Sequence, residues 1–156
     1  MNLVVLSSRS LQQVQPILVR FVRQQGDRRI DKQDVNWLDN LTPAMLADEE
    51  TALVVALDGK RLAGVFAVAR CGLTHSLLVV DRRYRGRGIG RALAARMCRL
   101  LPKLYVRVAV DNEPSLALFH RLGFQPVKAR IAPTEKPTLW LAFGGWSAED
   151  LEQHAG

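Results

Sequence analysis

The order of apolar runs and turn signals predicts a mixed α/β (α+β) fold. It is a mostly antiparallel sheet of six to seven strands with one parallel strand–helix–strand unit, flanked by helices. Three observations carry this. Asp58-Gly59 stands between two apolar runs, as in a hairpin. Gly86, Gly88 and Gly90, at alternate positions, open a helical pattern directly after an apolar strand. A further helical pattern, opened by Asn112 and Pro114 and closed by Gly123, follows the next apolar strand.

In chain order, Leu3 to Leu6 reads as a short strand. Ser10 is placed to cap a helix whose apolar positions Leu11, Val14, Leu18, Phe21 and Val22 share one face. Pro16 falls inside that pattern, so the helix either starts near Gln15 or kinks there. The polar stretch from Gln24 to Asn40 holds one amphipathic segment around Ile30, Val35, Trp37 and Leu38. Thr42 then Pro43 is a helix start: a hydroxyl cap followed by Pro at the first helical position. Thr51 to Leu57 and Arg61 to Ala69 form the hairpin strands, and Ser76 to Val80 a third strand. The helix after the glycines spans about Gly88 to Leu101, with Ile89, Leu93, Met97 and Leu100 on its apolar face and Pro102 as its stop. Leu104 to Val110 is an apolar strand interrupted by Arg107. Two last strands are expected near Gln125 to Ala129 and Thr138 to Phe143, and a capped tail helix from Ser147.

The 156 residues suit a single domain, residues 1–156. Hydrophobic residues at 48% and charged residues at 24% exclude a disordered chain. Lys plus Arg number 22 against 15 Asp plus Glu, a formal charge of +7 that points to an anionic partner. No apolar run approaches the ~20 residues of a membrane span, and the opening residues lack the layout of a signal peptide. Cys71 and Cys98 form no CxxC pair, so neither a metal site nor a disulfide framework is indicated. Two reduced thiols in a cytoplasmic protein are expected.

The stretch with chemical content is Leu78-Val79-Val80-Asp81-Arg82-Arg83-Tyr84-Arg85-Gly86-Arg87-Gly88-Ile89-Gly90-Arg91. Glycines allow unusual φ and close ligand approach. A helix start offers unpaired N–H groups and the positive end of a dipole. Together they make an anion site, and the surrounding guanidinium groups suit phosphate oxygens. A Walker loop is excluded, because no Lys follows the last glycine. A dinucleotide fold is excluded, because Arg91 takes the third glycine position and the glycines lie well beyond the strand end.

Arg85-x-x-Gly88-x-Gly90, preceded by Leu78 and Val80, resembles the acyl-CoA-binding motif of the GNAT superfamily of N-acetyltransferases. Asn112-x-x-Ser115-x-x-x-Phe119-x-x-x-Gly123-Phe124 resembles a second motif of that family, in the right order and at the right separation. The resemblance covers roughly Thr51 to Phe143. It implies a GNAT-like domain that transfers acetyl from acetyl-CoA, its co-substrate, directly to an amine. Backbone groups of the Leu78-Val79-Val80 strand end would pair with the pantetheine arm. The amides of Arg85, Gly86, Arg87, Gly88, Ile89 and Gly90, with Arg91, would hold the pyrophosphate. Asn112 and Ser115 would meet the arm or order the following helix, and Phe119 stands at its inner end.

The sequence departs from the family at two points. Phe119 replaces the Tyr whose hydroxyl protonates the departing thiolate in many members. The strand positions Thr74 and Ser76, often Glu or His in relatives, are not titratable. His75 lies between them and faces the other side of a regular strand. Catalytic residues are therefore unassigned, with His75 as candidate base and Tyr84 and Tyr105 as candidate acids. Asp31, Asp34 and Asp39 lie where the family meets its acceptor and can hold a cationic amine. The leading expectation is a cytoplasmic N-acetyltransferase of a primary amine in an unidentified acceptor, monomeric or homodimeric. An acetyl-CoA-binding sensor without turnover is the alternative. Neither nucleic acid nor membrane is an expected partner: the arginines gather at one loop, without the interleaved aromatics of a nucleic-acid face.

Overall fold

The computed structural model describes residues 1–26 and 30–154. Strand β1 (Asn2–Val5) leads into helix α1 (Ser8–Gln25), α2 (Lys32–Asp39) and the single turn α3 (Pro43–Leu46). The hairpin β2 (Ala52–Asp58) and β3 (Arg61–Ala69) follows, then β4 (His75–Val80), α4 (Ile89–Leu100), β5 (Lys103–Ala109), α5 (Glu113–Arg121), β6 (Gln125–Arg130), β7 (Thr138–Gly144) and α6 (Ala148–His154).

The seven strands divide into two antiparallel sheets, ordered β1-β2-β3-β4 and β5-β7-β6. The strand–helix–strand unit expected as a parallel pair is present as β4-α4-β5, but no ladder joins its two strands. β4 is the edge of one sheet and β5 the edge of the other, and a gap lies between them.

A tight turn sets how the two edges meet. Arg70 (φ 51), Cys71 (φ 56) and Gly72 (φ 95) are consecutive left-handed residues between β3 and β4. A left-handed conformation costs a residue with a Cβ about 1–2 kcal/mol, so this turn stores strain. Gly72 lies so close to the Tyr105 carbonyl oxygen that any Cβ there would overlap it. The turn before β4 is thereby packed against β5.

Alternation in the strands sorts the core into two layers. Leu53, Val55, Val65, Ala67, Leu77 and Val79 face Leu11, Leu18, Val22, Trp37 and Leu38 of α1 and α2. Val54, Phe66, Val68, Leu78 and Val80 face Ile89, Leu93 and Met97 of α4 and Phe119 of α5. The cap of α1 lies three residues before the expected one: Ser7 is the N-cap, and the Ser10 hydroxyl accepts from the Ser7 N–H at 3.2 Å. The Ser-x-x-Ser spacing offers both serines as caps, and the apolar face beginning at Leu11 does not distinguish them. The helix continues through Pro16, since buried Leu11, Leu18 and Val22 on either side hold it to the sheet. The Gln15 amide donates to the Leu38 and Leu41 carbonyls, each at 2.8 Å, and docks α2 on α1. The expected cap of α3 is present, with Thr42 Oγ1 accepting from Met45 N–H at 3.2 Å.

Cys71 and Cys98 are free thiols, and burial pushes both up to about 11. Among the described residues no helix is long and apolar enough to cross a membrane.

Candidate active site

The gap between β4 and β5 widens into a cleft of about 930 Å³. It runs from the glycine loop, past the β4 edge and α5, to α2 and the β7 residues Thr138 and Trp140.

At the loop end the cleft is made of backbone. Asp81 N–H donates to the Ala63 carbonyl at 2.8 Å, which sets the phase of the β3–β4 ladder. His75, Leu77 and Val79 therefore turn their backbone groups toward β3, and Ser76, Leu78 and Val80 turn theirs into the cleft. Gly86 and Gly88 both have φ +79, and a Cβ on either would meet no atom within 4 Å. Their glycine character is set by conformation and by the open space beside them. Gly90 is of another kind: a Cβ there would lie 3.2 Å from Leu118 Cδ1, so it lets α5 approach α4. Gly88 is the N-cap of α4, and the first helical donor is Ala92 N–H, to the Gly88 carbonyl at 3.0 Å. The N–H groups of Ile89, Gly90 and Arg91 thus lack a helical acceptor and carry the positive end of the helix dipole.

The arginines of this loop divide their work. Arg85 and Arg91 line the cleft. Arg83 turns back to Asp81, bonding its carboxylate at 3.2 and 3.4 Å, and holds that carboxyl below its ordinary value. Arg87 lies over the Tyr84 ring at 5.4 Å and is not among the cleft-lining side chains. Its place in the sequence motif is a backbone one. The C-terminus of α1 abuts the loop: the Gln25 side chain accepts from Arg82 N–H at 3.1 Å, and its carbonyl accepts from the Arg85 guanidinium at 3.4 Å.

Asn112 caps α5 by accepting from Ser115 N–H at 3.4 Å, and both residues line the cleft. Phe119 also lines it, 4% exposed, with its ring 5.0 Å from Phe124 and 6.5 Å from Phe66.

The hydroxyls of the two tyrosines considered as acids both donate to carboxylates, that of Tyr84, which lines the cleft, and that of Tyr105, which does not. Tyr84 donates to Asp58 Oδ2 at 2.6 Å, tying the loop to the end of the β2–β3 hairpin. Tyr105 is fully buried, donates to Asp150 Oδ2 at 2.6 Å and accepts from Ser147 N–H at 2.9 Å. It fastens α6 to the second sheet and is absent from the cleft lining.

At the other end the cleft is made of side chains. His75 Nδ1 meets Asp34 Oδ1 at 2.9 Å, and the imidazole is stacked on Trp37 with centroids 5.1 Å apart and planes 8° from parallel. Burial pushes the Asp34 carboxyl above its ordinary value, opposed by the bond to His75. Among the described residues the other ring nitrogen, Nε2, has no hydrogen-bond partner. Asp31 caps α2 by accepting from Gln33 N–H at 2.8 Å, and its second oxygen lies 3.7 Å from Arg107. Arg107 in turn lies over the Trp140 ring at 5.8 Å. Asp39 faces outward toward Arg23 at 3.5 Å and does not line the cleft.

Sequence reading names His75, Asp31 and Asp34 separately but not their pairing, and it misses Trp140 and the role of Arg107. The available signal is Arg107 itself, a single charge within an otherwise apolar strand.

A strand edge thus opens onto left-handed glycines at a helix start, with arginines beside it, an arrangement whose N–H groups and guanidinium groups can hold an anion. Residues 14–124 match the family model described as Acetyltransferase (GNAT) family, and the chain belongs to that family. It is 34% identical over 93 residues to the N-alpha-acetyltransferase RimI of Mycobacterium tuberculosis, covering 54% of this chain and 59% of that protein. It is 32% identical over 105 residues to an uncharacterized protein of Mycobacterium leprae, covering 59% of this chain and 29% of that protein. The matches thus span less than two thirds of these relatives. In fold it is similar to the ribosomal-protein-S18-alanine N-acetyltransferase of Escherichia coli, with TM-score 0.67 and 15% identity over 94% of this chain and 96% of that one. It is also similar to a mutant of the spermidine N-acetyltransferase SpeG of Vibrio cholerae, with TM-score 0.65 and 17% identity over 91% and 92% of the two chains.

Proposed function

We propose that this chain transfers an acetyl group from acetyl-CoA directly to a primary amine. The observation that carries the reading is the pair of left-handed glycines, Gly86 and Gly88, with open space at their Cβ positions and a free strand edge leading to them. The fit to acetyl-CoA follows from the chain's own groups. The N–H groups of Ile89, Gly90 and Arg91, with the Arg85 and Arg91 guanidinium groups, receive the pyrophosphate. Leu78 and Val80 offer backbone donors and acceptors to the amide-bearing arm, as one strand does to another. The thioester supplies the activated acetyl group when bound. The amine nitrogen forms the new bond to the acetyl carbon, the C–S bond breaks, and sulfur leaves with the bonding pair.

In this reading His75, which lines the cleft and meets Asp34, receives the amine proton. In the tautomer whose Nδ1–H donates to Asp34, the Nε2 lone pair is available. The order of Asp34, His75 and cleft follows the same logic as other oriented imidazole bases. Phe119 donates nothing to the leaving sulfur, whose reference thiol pKa near 8.5 already makes it a fair leaving group.

A second reading, an acetyl-CoA sensor without turnover, is favoured by one observation: Phe119 replaces a donor while the Tyr84 and Tyr105 hydroxyls are both committed elsewhere. One experiment separates the readings. The chain is melted with and without acetyl-CoA, and thiol release is followed with a panel of amines. At 100 times Kd, linkage raises stability by about 2.7 kcal/mol. A melting shift with thiol release supports the enzyme, a shift without release supports the sensor, and no shift at millimolar acetyl-CoA overturns both.

A further inference from the structure

The cleft end beside α2 holds two acid–base pairs, each resting on an indole. Asp34 meets His75, which stacks on Trp37, and Asp31 faces Arg107, which lies over Trp140. The two acids are three residues apart at the start of α2, Asp31 as its N-cap and Asp34 in its first turn. Their partners, His75 on β4 and Arg107 on β5, thus meet acids at the same end of one helix.

The two pairs differ in quality. His75 and Asp34 are within hydrogen-bond distance, with side chains 28% and 18% exposed. Arg107 and Asp31 are 3.7 Å apart, with side chains 37% and 42% exposed. A good guanidinium–carboxylate bond is about 2.7–2.9 Å, and a half-exposed pair beyond that is readily exchanged. The guanidinium lies over the Trp140 ring, and among the described residues no hydrogen bond occupies its fork. Among the described cleft-lining cations, Arg85 and Arg91 belong to the glycine loop and Arg121 to α5. Arg107 is the one at the α2 end, on the same side of the sheets as His75.

Building on the acetyltransferase reading, we propose that Arg107 is an anion anchor and that the acceptor is a small zwitterion, an amine carrying its carboxylate on the neighbouring carbon. The carboxylate takes the Arg107 fork in place of the loose Asp31 contact. The amine then lies toward the His75–Asp34 pair, which lines the same cleft. A polyamine brings a second cation to Arg107 and is repelled. A peptide N-terminus or an amino-acid amide presents a neutral carbonyl in place of the carboxylate and forfeits the charge-assisted pair. Arg107 selects the acceptor and does not take part in the bond changes.

The test compares free L-alanine, L-leucine and L-phenylalanine with their amides, and with spermidine, by thiol release from acetyl-CoA. The expected result is a preference for the free acids of at least tenfold in kcat/KM, expressed mainly in KM. Arg107→Gln erases that preference by raising KM for the acids, and Arg107→Lys restores part of it. Acetyl-CoA affinity of the variants, read by calorimetry, stays within about twofold of the parent. The parent's acid-to-amide ratio needs no variant, so misfolding of Arg107→Gln leaves the test intact. Amides or spermidine used as well as the acids overturn the zwitterion assignment and leave acetyl transfer standing. Absence of thiol release with every amine overturns the acetyltransferase reading and this inference with it.

Discussion

The glycine-loop end of the cleft is built from backbone, and the α2 end from side chains. At the first, Gly86 and Gly88 hold left-handed turns beside open space, and Leu78 and Val80 present their peptide groups. At the second, Asp34 reaches His75 across 41 positions of sequence, and Asp31 reaches Arg107 across a still longer stretch. A backbone site depends on local conformation, so its determinants are contiguous. A side-chain site depends on which strands the topology brings under which helix. One end therefore suits a ligand common to a whole family, while the other can change with a few substitutions.

Two left-handed glycines give the sharpest way to break this comparison. Gly72 and Gly88 share the same kind of φ but opposite surroundings. Gly72→Ala sets a methyl against the Tyr105 carbonyl, where the two sheets meet and neither backbone can yield cheaply. It is expected to cost more than about 3 kcal/mol, by overpacking added to a left-handed Ala. Chemical denaturation reads it directly, and an unchanged midpoint would show that the sheets are free to part at this point.

Gly88→Val is the converse. Its Cβ meets nothing in the protein, so the fold should lose only the cost of left-handed backbone, about 1–2 kcal/mol. Acetyl-CoA affinity should fall at least a hundredfold, because the branched side chain fills the space the pyrophosphate needs. Calorimetric titration checks it, and retention of the parent affinity would remove the loop from the phosphate site.

How much of this was legible in the sequence follows the same divide. The hairpin, the Asn112 and Thr42 caps, the two motif helices and the loop all rest on neighbours in sequence, and each reads directly. The cap of α1 was displaced by three residues, because Ser7 and Ser10 satisfy the same local rule. The separation of β4 from β5 was not legible. It depends on Gly72 jammed against Tyr105 and on a gap that no local pattern records. Tyr84 and Tyr105 looked like candidate acids from residue type alone. Their partners, Asp58 and Asp150, lie 26 and 45 positions away and lead both hydroxyls into structural bonds.

Asp150 offers a smaller, pH-dependent test away from the cleft. Its bond from Lys103 at 2.7 Å, then that from Tyr105, hold its carboxyl below the ordinary value. A depressed acid contributes stability above its unfolded pKa and loses it as pH falls through the folded one. Asp150→Asn should therefore cost about 1–3 kcal/mol near pH 7, by weakening the bonds of a buried tyrosine and a half-buried lysine. The gap to the parent should close as pH drops below the ordinary carboxylate pKa of about 3.9. A gap that stays constant well below that pKa would mean that Asp150 is held by shape and not by charge. Because α6 is remote from the cleft lining, acetyl-CoA affinity at pH 7 should stay within about twofold.

Phe119 sits where the two kinds of construction meet, and Phe119→Tyr carries the smallest expected effect on the fold. The ring belongs to the aromatic group of Phe66, Phe124 and Phe143, yet it also lines the cleft. Its two neighbours contact it in tilted and edge-on arrangements, which fix the ring plane and leave the substitution isosteric except at one ring position. If that position opens onto the thiol-bearing end of the arm, the new hydroxyl finds a partner and supplies the missing acid. The expected outcome is a rise in turnover of tenfold or more, within the range of general acid catalysis, with acetyl-CoA affinity changed no more than a few-fold and the melting temperature unchanged. If the position points into the aromatic group, the hydroxyl is buried without a partner and costs about 1–3 kcal/mol with no gain in rate. Melting and turnover measured on the same preparation separate the two, and a stability loss without acceleration would assign Phe119 to the core and leave sulfur departure unassisted by α5.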